Sequence, residues 1–280
     1  MIAAEPLPPH VVVGRGRLGR ALSEALRRLG PPPRSVGGRE ALARPGLVLP
    51  DPPVAAAEAV VLLAVRDDAL AGLAAALARS APAPTVAILH HSGALGLDVL
   101  APLERAGFAV GSCHPLQSFT GAADDAARFA GAAFAVDGTG VGRRAAERLA
   151  RALGGRPVAV PAGARDLYHL AASLGANGLT GLVGASLDAL GAAGLDPDDA
   201  LRALGPLLRT SLEEALRLGP AAALTGPASR GDEATLARHR AAVLAWDASR
   251  TALLEALVAE QRRLAVRARA AADARMPRSD

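Results

Sequence analysis

Residues 10 to 19 constrain this chain more than any other stretch. Val11, Val12 and Val13 run into Gly14-Arg15-Gly16-Arg17-Leu18-Gly19, and an amphipathic helical pattern begins at once. A buried parallel strand, a turn only glycine can make, and a helix whose first N–H groups lack partners are the parts of a dinucleotide site. The first glycine makes the turn, the second admits the pyrophosphate to the backbone, and the third lets helix and strand pack closely. The helix N-terminus then offers its dipole and free N–H groups to the phosphates. Gly14, Arg15, Gly16, Arg17, Leu18 and Gly19 are therefore the expected core of a cofactor site.

Leu18, Leu22, Ala25, Leu26 and Leu29 recur at helical spacing, opposite Arg20, Glu24, Arg27 and Arg28. Gly30 and three prolines stop this helix. A short second strand fits Arg34 to Gly37. NAD sites usually end this strand in an acid that holds the ribose hydroxyls. Here Gly37-Gly38-Arg39-Glu40 follows, so Arg39 is expected to bind a 2′-phosphate and NADP is favoured, with Glu40 as the complication. A solvated loop arginine is the competing reading of Arg39.

Ala59 to Val65 is an unbroken apolar run, as in a strand covered on both faces. Ala64, Val65 and Arg66 at its carboxyl end join the expected cofactor contacts, and Asp67 and Asp68 are placed to cap a helix running to Ser80. Further strands are expected near Val86–Leu89, Ala109–Ser112, Ala132–Val136 and Pro157–Val160, with helices at Leu95–Arg105 and Val141–Leu153. This alternation predicts an α/β fold with a doubly wound, Rossmann-like parallel sheet. After Pro161 only helical patterns remain, over 164–193, 197–218 and 232–270, so a dinucleotide-binding domain is expected over 1–160 and a helical substrate or dimerisation domain over 161–280. Asp273 to Asp280 are expected to fray.

Aromatic residues make up 2% of the chain and apolar residues 51%, so the core must be built of Ala, Leu and Val in close backbone contact. Few aromatics leave no base-stacking platform for single-stranded nucleic acid. The sequence pI is 10.6, yet the net charge is only +4, there is no lysine, and the arginines are scattered. Nucleic acid is thus not an expected partner. Cys113 is the one cysteine, which fits a reducing compartment, and the first nine residues resemble no signal peptide, so a cytoplasmic location is expected. Between Asp166 and Asp188 the only ionisable side chains are Tyr168 and His169, so a membrane span must be weighed. Ser173, Asn177 and Thr180 interrupt the stretch, and Gly175, Gly178, Gly181 and Gly184 point instead to a helix buried against others, in a helical domain or a dimer.

Ligands of doubly wound sheets sit beyond the carboxyl ends of the strands. His90, His91 and Ser92 follow one strand, and Cys113, His114 and Gln117 follow another. Ser92 is expected to contact cofactor and substrate, and His114 and Gln117 the substrate. The Cys/His spacing fits no common zinc pattern, so no metal is expected. His169, Ser173 and Asn177 share one helical stripe. His169 can act as general acid for a carbonyl reduced by hydride, with Ser173 and Asn177 orienting the oxygen. A polar network that fixes helix packing is the alternative. In Thr225-Gly226-Pro227-Ala228-Ser229-Arg230-Gly231-Asp232, Asp232 caps a helix, and Thr225 and Arg230 are left as candidate substrate contacts. Arg230 can clamp a carboxylate or simply be a surface arginine.

Taken together, the glycine turn, His90-His91-Ser92-Gly93-Ala94, Cys113-His114-Pro115-Leu116-Gln117-Ser118-Phe119, Tyr168-His169 with Asn177, and Thr225-Gly226-Pro227 through Asp232 resemble a two-domain family. That family joins a Rossmann-like NADP domain to a C-terminal helical domain of unknown function. It is similar to a superfamily of ketopantoate reductases, pyrroline-5-carboxylate reductases, 6-phosphogluconate dehydrogenases and deazaflavin-dependent NADP reductases. The resemblance implies NADP binding, a cleft between domains and a homodimer built through the helical domain. Some superfamily members carry a catalytic lysine four residues before an asparagine, but here Ser173 stands four before Asn177. Either His169 takes over proton transfer or the chemistry differs.

The expected function is NADPH-dependent reduction of a small carbonyl acid, with a ketopantoate-like 2-oxo acid first. Reduction of a cyclic imine such as a pyrroline carboxylate, a deazaflavin-linked NADP reductase, and an NADP-binding sensor or scaffold without turnover are the alternatives.

Overall fold

The computed structural model describes residues 7–48, 59–80, 87–161 and 163–274. The chain divides into two compact units, Met1–Gly178 and Leu179–Asp280.

The first unit is an α/β layer structure. Its elements are β1 (His10–Val13), α1 (Arg17–Leu29), β2 (Arg34–Val36), α2 (Gly38–Ala43), β3 (Val60–Leu63), α3 (Asp67–Arg79), β4 (Ala87–His90), α4 (Ala101–Arg105), β5 (Ala109–Pro115), β6 (Ala133–Gly138), α5 (Gly140–Ala152), β7 (Arg156–Ala159) and α6 (Arg165–Ser173). A π turn, Leu174–Gly178, closes the unit. The strands form one sheet in the order β2-β1-β3-β4-β5-β6-β7. Strand order reverses direction at β1, between β2 and β3, which is where such sheets open a crevice for a ligand.

Alternation along the strands builds the core. Val11, Val13, Val61, Leu63 and Ile88 pack on one side with Leu70, Leu73 and Leu77 of α3 and Leu103 of α4. Val12, Val60, Leu62 and Leu89 pack on the other with Leu22 and Leu26 of α1, Leu149 of α5, Phe129 and Phe134. Two of the four phenylalanines thus fill the same layer, their ring centroids 6.0 Å apart. Helices on both faces explain why the central strands read as unbroken apolar runs.

The fold class expected from the sequence is found, with one difference in the sheet. β5 and β6 pair antiparallel, Cys113 opposite Val136, while every other neighbouring pair is parallel. Between them lies only a loop with a short 3-10 turn, Asp125–Phe129. A parallel return needs a crossover long enough to carry the chain back along the sheet. This connection has none, whereas α5 supplies one for β7.

Other expectations are corrected in detail. Arg66 is the N-cap residue of α3 and makes no side-chain cap, so Asp67 and Asp68 sit inside the first turn and act on the helix dipole instead. The stretch 95–105 is a 3-10 turn, Leu97–Leu100, followed by the short α4. The expected start of the β4 strand at Val86 and the fraying tail beyond residue 274 lie outside the described residues.

The second unit is entirely helical: α7 (Leu179–Ala192), α8 (Pro197–Leu218), α9 (Pro220–Ala223), α10 (Pro227–Arg230), α11 (Glu233–Trp246) and α12 (Thr251–Asp273). Asp196 caps α8 by accepting the Asp199 N–H at 2.9 Å, with Pro197 in the first turn. Asp232 does the same for α11 through Thr235 at 3.0 Å. The single helix expected over 232–270 is two, because Asp247 leaves helical geometry and its carboxylate caps Ser249. Arg250 then ties this corner to α7 through Asp188 at 2.6 Å.

Arg165–Ala192 is long and apolar enough, by length and composition, to cross a membrane. The burial expected for this glycine-rich helix is not found among the described residues. A Cβ built on Gly175, Gly181 or Gly184 meets no described atom within 4 Å.

Phe134 has no exposed surface and its ring lies against Gly155. Phe134→Ala is expected to lower stability by about 3–5 kcal/mol, as for other buried aromatics truncated to alanine. Urea unfolding followed by circular dichroism checks this, and an unchanged midpoint would mean the layer between β6 and α5 is not close-packed.

Candidate functional site

The glycine turn has the geometry its spacing requires. Gly14 adopts φ +118°, a Cβ on it would lie 2.1 Å from the Ala64 carbonyl oxygen, and one on Gly19 would lie 2.0 Å from the Gly14 carbonyl oxygen. The backbones of β1, α1 and the end of β3 therefore meet at distances that exclude any side chain. Gly16 is different: it is the extended N-cap of α1, makes no side-chain cap, and a Cβ there meets nothing within 4 Å. The helix end is open where a pyrophosphate would lie, so the residues present fit a dinucleotide.

The other expected cofactor contacts surround this turn. Leu18 packs against the core and offers only its backbone. Arg15, Arg17 and Arg39 are exposed. Arg15 reaches the Ser35 carbonyl oxygen at 3.4 Å and Glu40 at 3.5 Å. Ala64 packs beside Gly19, its Cβ 3.6 Å from where a Cβ on Gly19 would lie. Val65 packs on the core. The Arg66 guanidinium pairs with Asp68.

A second feature lies beyond the carboxyl ends of β4 and β5. A hollow of about 510 Å³ is lined by His114, Leu116, Gln117, Ser118, Tyr168, His169, Ser173 and Asn177, among others. The structure thus brings together His114, Gln117, His169, Ser173 and Asn177. Asn177 donates to the Ser173 hydroxyl at 3.4 Å. Gln117 is exposed and bonds locally, its amide oxygen accepting the Ser118 N–H at 2.8 Å. Ser92 is buried, and its hydroxyl accepts the N–H groups of Ala94 at 3.2 Å and Leu95 at 3.0 Å, holding the turn after β4. Thr225 and Arg230 belong to the second unit, where both are exposed. Among the described residues no group of three or more His, Cys, Asp or Glu is placed to hold a metal ion.

Three groups that the sequence did not single out as site residues shape this region: Tyr168 lines the hollow, and Gly93 and Arg165 support the residues around it. The Tyr168 hydroxyl lies 3.0 Å from His114 Nδ1. The His114 ring stands edge-on to Tyr168 and to His169, with centroids 5.7 and 6.3 Å away. Gly93 leaves room for both imidazoles, because a Cβ there would lie 2.7 Å from His114 Nε2 and 2.8 Å from His169 Cδ2. Arg165, its side chain only 11% exposed, donates to the Ser92 carbonyl at 3.3 Å and to the Ser112 hydroxyl, and lies 3.7 Å from Asp137. It fastens the start of α6 to the ends of β4 and β5. The only sequence signal for Arg165 was a charged pair, Arg165-Asp166, opening an otherwise uncharged helical stretch.

Burial governs the electrostatics. His91 donates from Nδ1 to the Cys113 carbonyl, and burial pushes its pKa down to about 4. His90 accepts the Ser92 N–H at 3.2 Å, and burial with the nearby Arg165 charge lowers it to about 3. His114 falls to about 4, again through burial first and then the neighbouring imidazoles and Arg165. Burial pushes the Cys113 thiol and the Tyr168 hydroxyl up, so both stay protonated at neutral pH. At pH 7 the wall of the hollow offers the neutral His114 imidazole and the Tyr168 phenol, and the Arg165 charge lies nearby, bonded to Ser92 and Ser112.

Residues 9–115 match a family model described as a Rossmann-like domain, and residues 132–260 match a domain of unknown function, DUF2520. No curated protein matches the chain. Among solved structures, protein TM1727 from Thermotoga maritima is similar, with a TM-score of 0.68 and 21% identity over 93% of this chain and 99% of that one. A reductive aminase from Aspergillus terreus, in complex with NADPH and ethyl levulinate, gives 0.62 and 18% over 91% and 94%. Pyrroline carboxylate reductase from Plasmodium falciparum, with NADP bound, gives 0.56 and 11% over 93% and 99%. At these identities the likeness is one of fold.

Two predictions test this geometry. Gly16→Ala should lower the melting temperature by only about 2–4 °C, since alanine is a poorer N-cap than glycine by about 1 kcal/mol, yet abolish binding of NADPH. Gly19→Ala should lower both, because the backbone must move to admit the methyl group. Second, His10, His90, His91 and His114 are all held well below the ordinary 6.5. The unfolded chain takes up these protons from about pH 6.5 downward, while the folded chain does so only near pH 4 for His10, His91 and His114 and near pH 3 for His90. Their contribution is complete above pH 6.5 and is lost as pH falls toward 4, by up to about 1.4 kcal/mol per pH unit for each imidazole. A melting temperature that stays level from pH 7.5 to 4.5 would show that these imidazoles are not buried and neutral.

Proposed function

From a chain that pairs a Rossmann-like domain with a DUF2520 domain, we propose an NADP(H)-dependent oxidoreductase that transfers a hydride to a small carbonyl acid. A 2-oxo acid of ketopantoate size is the first substrate to consider. The observation that carries this reading is one edge of one sheet. The open turn at Gly16 follows β1, and the hollow with His114, Tyr168 and His169 follows β5, strands that run in the same direction. The reductive aminase and the pyrroline carboxylate reductase hold NADPH or NADP in chains of this fold, which supports the same cofactor here.

In this reading NADPH supplies the hydride. The backbone of Gly14 to Gly19 binds the pyrophosphate, and Arg39 with Arg15 or Arg17 meets the 2′-phosphate. His169 gives a proton to the carbonyl oxygen as the carbon takes the hydride, imidazole being suited to this near neutral pH. Ser173 and Asn177, linked to each other, orient that oxygen. Tyr168, held by His114, borders the same space.

A second reading, reduction of a cyclic imine, is favoured by the likeness in fold to a pyrroline carboxylate reductase. The two are separated by following NADPH absorbance with a panel of 2-oxo acids and cyclic imines. Turnover of a 2-oxo acid that drops about a hundredfold or more in His169→Ala supports the first reading. An imine turned over equally well by His169→Ala supports the second, because an iminium carbon needs no proton donor at hydride transfer. NADPH binding without turnover of any compound would favour a sensor or scaffold.

We also propose that the protein is a homodimer joined through its helical unit. Leu201, Leu207 and Leu216 of α8 are 55%, 63% and 79% exposed, and few apolar side chains of that unit are buried. Light scattering on the purified chain should give twice the chain mass, and a monomer at micromolar concentration would rule the proposal out.

A further inference from the structure

Resting on the reading of the glycine turn as an NADP site, we propose that Glu40 is an internal stand-in for the 2′-phosphate. Its carboxylate holds Arg15 in the cofactor-free chain and gives it up when the nucleotide binds, so Glu40 tunes how strongly NADP is preferred.

The groups concerned converge at the end of β2. Arg15 follows Gly14 directly, and its guanidinium folds back to donate to the Ser35 carbonyl oxygen at 3.4 Å while lying 3.5 Å from Glu40 Oε2. The same carboxylate oxygen accepts the Gly37 N–H at 3.3 Å. Gly37 adds no bulk: a Cβ there would lie 3.6 Å from Glu40 Oε2 and 3.8 Å from Arg15 Nη1, so acid and base meet over bare backbone. Each of these partners, a guanidinium and a backbone N–H, is one that phosphate oxygens take. The Arg15 and Glu40 side chains are 63% and 48% exposed, so an incoming anion can reach them.

The position of Glu40 argues against the other role an acid can have here. An acid that reads ribose hydroxyls stands at the end of the strand with its oxygens free to accept. Glu40 stands four residues beyond Val36, in the first turn of α2, and its Oε2 already accepts from Gly37 and faces Arg15. NADH carries no 2′-phosphate and has nothing to exchange for this carboxylate, whereas NADPH does.

The test is calorimetric titration of the whole chain with NADPH and with NADH, in wild type, Glu40→Gln and Arg15→Gln. Glutamine keeps an oxygen for the Gly37 N–H and removes the charge, so the fold is preserved and a thermal melt verifies it. Glu40→Gln should tighten NADPH about three- to fivefold, the scale of an exposed ion pair, and leave NADH within twofold. Arg15→Gln should weaken NADPH about tenfold and spare NADH. If Glu40→Gln weakens NADH instead, Glu40 reads the ribose and the inference is overturned. It is overturned too if NADPH affinity is the same in all three proteins. If wild type binds neither nucleotide, the NADP reading itself has failed, an outcome visible before any variant is compared.

Discussion

The contact on which the rest of the first unit depends is backbone against backbone. Gly14 lies under the Ala64 carbonyl and Gly19 under the Gly14 carbonyl, at distances where a single methyl group would overlap a neighbour. This approach seats α1 across β1 and β3 and leaves its N-terminus uncapped at Gly16. The same contact that brings helix and sheet together also leaves the first N–H groups of α1 open, the condition an anion site requires. The bond from the Gly14 N–H to the Val36 carbonyl, 2.8 Å, brings the end of β2 to the turn. Arg15, Glu40 and the glycines consequently share one small region.

A chain poor in aromatic residues has to build its core from small and branched side chains, and the sheet shows how. Each central strand sends alternate residues into two helical layers, and buried alanines of α1, α3 and α5 let those helices lie close. The scarce rings are placed together, Phe119, Phe129 and Phe134 forming a chain of contacts under the loop between β5 and β6. That loop lacks a crossover helix and turns the last two strands against the direction of the others. β5 is extended to Pro115 by this pairing, and His114 stands near its end, at the hollow.

Around the hollow, polar groups do what apolar packing does elsewhere. Arg165 reaches from α6 to Ser92, Ser112 and Asp137, and so orders this end of the sheet about one largely buried guanidinium. Hydrogen bonds to a charged group in a poorly solvated place are stronger than neutral ones, and the charge must be satisfied once it is buried. Burial keeps His90, His91 and His114 neutral beside this charge, and His114 shares a hydrogen bond with Tyr168.

Much of this was legible in the sequence, because it rests on local rules. The strand, glycine turn and helix at residues 10 to 29, the apolar run at 60 to 63, and the caps at Asp196 and Asp232 follow from neighbouring residue types alone. The stripe of His169, Ser173 and Asn177 also follows, since helical spacing fixes which residues share a face. What local rules cannot carry is partnership across the chain. That Tyr168 meets His114, 54 residues earlier, and that Arg165 reaches Ser92, 73 residues earlier, depends on the register of the sheet. The reversal of β6 depended on a missing crossover, and the break at Asp247 on a cap competing with a continuous helical pattern. The sequence by itself determined most of the strands and helices and the form of the glycine turn, through periodicity and the steric demands of glycine. Only the tertiary structure decided which side chains share the hollow and which histidines stay neutral, because distance and burial are properties of the packed sheet.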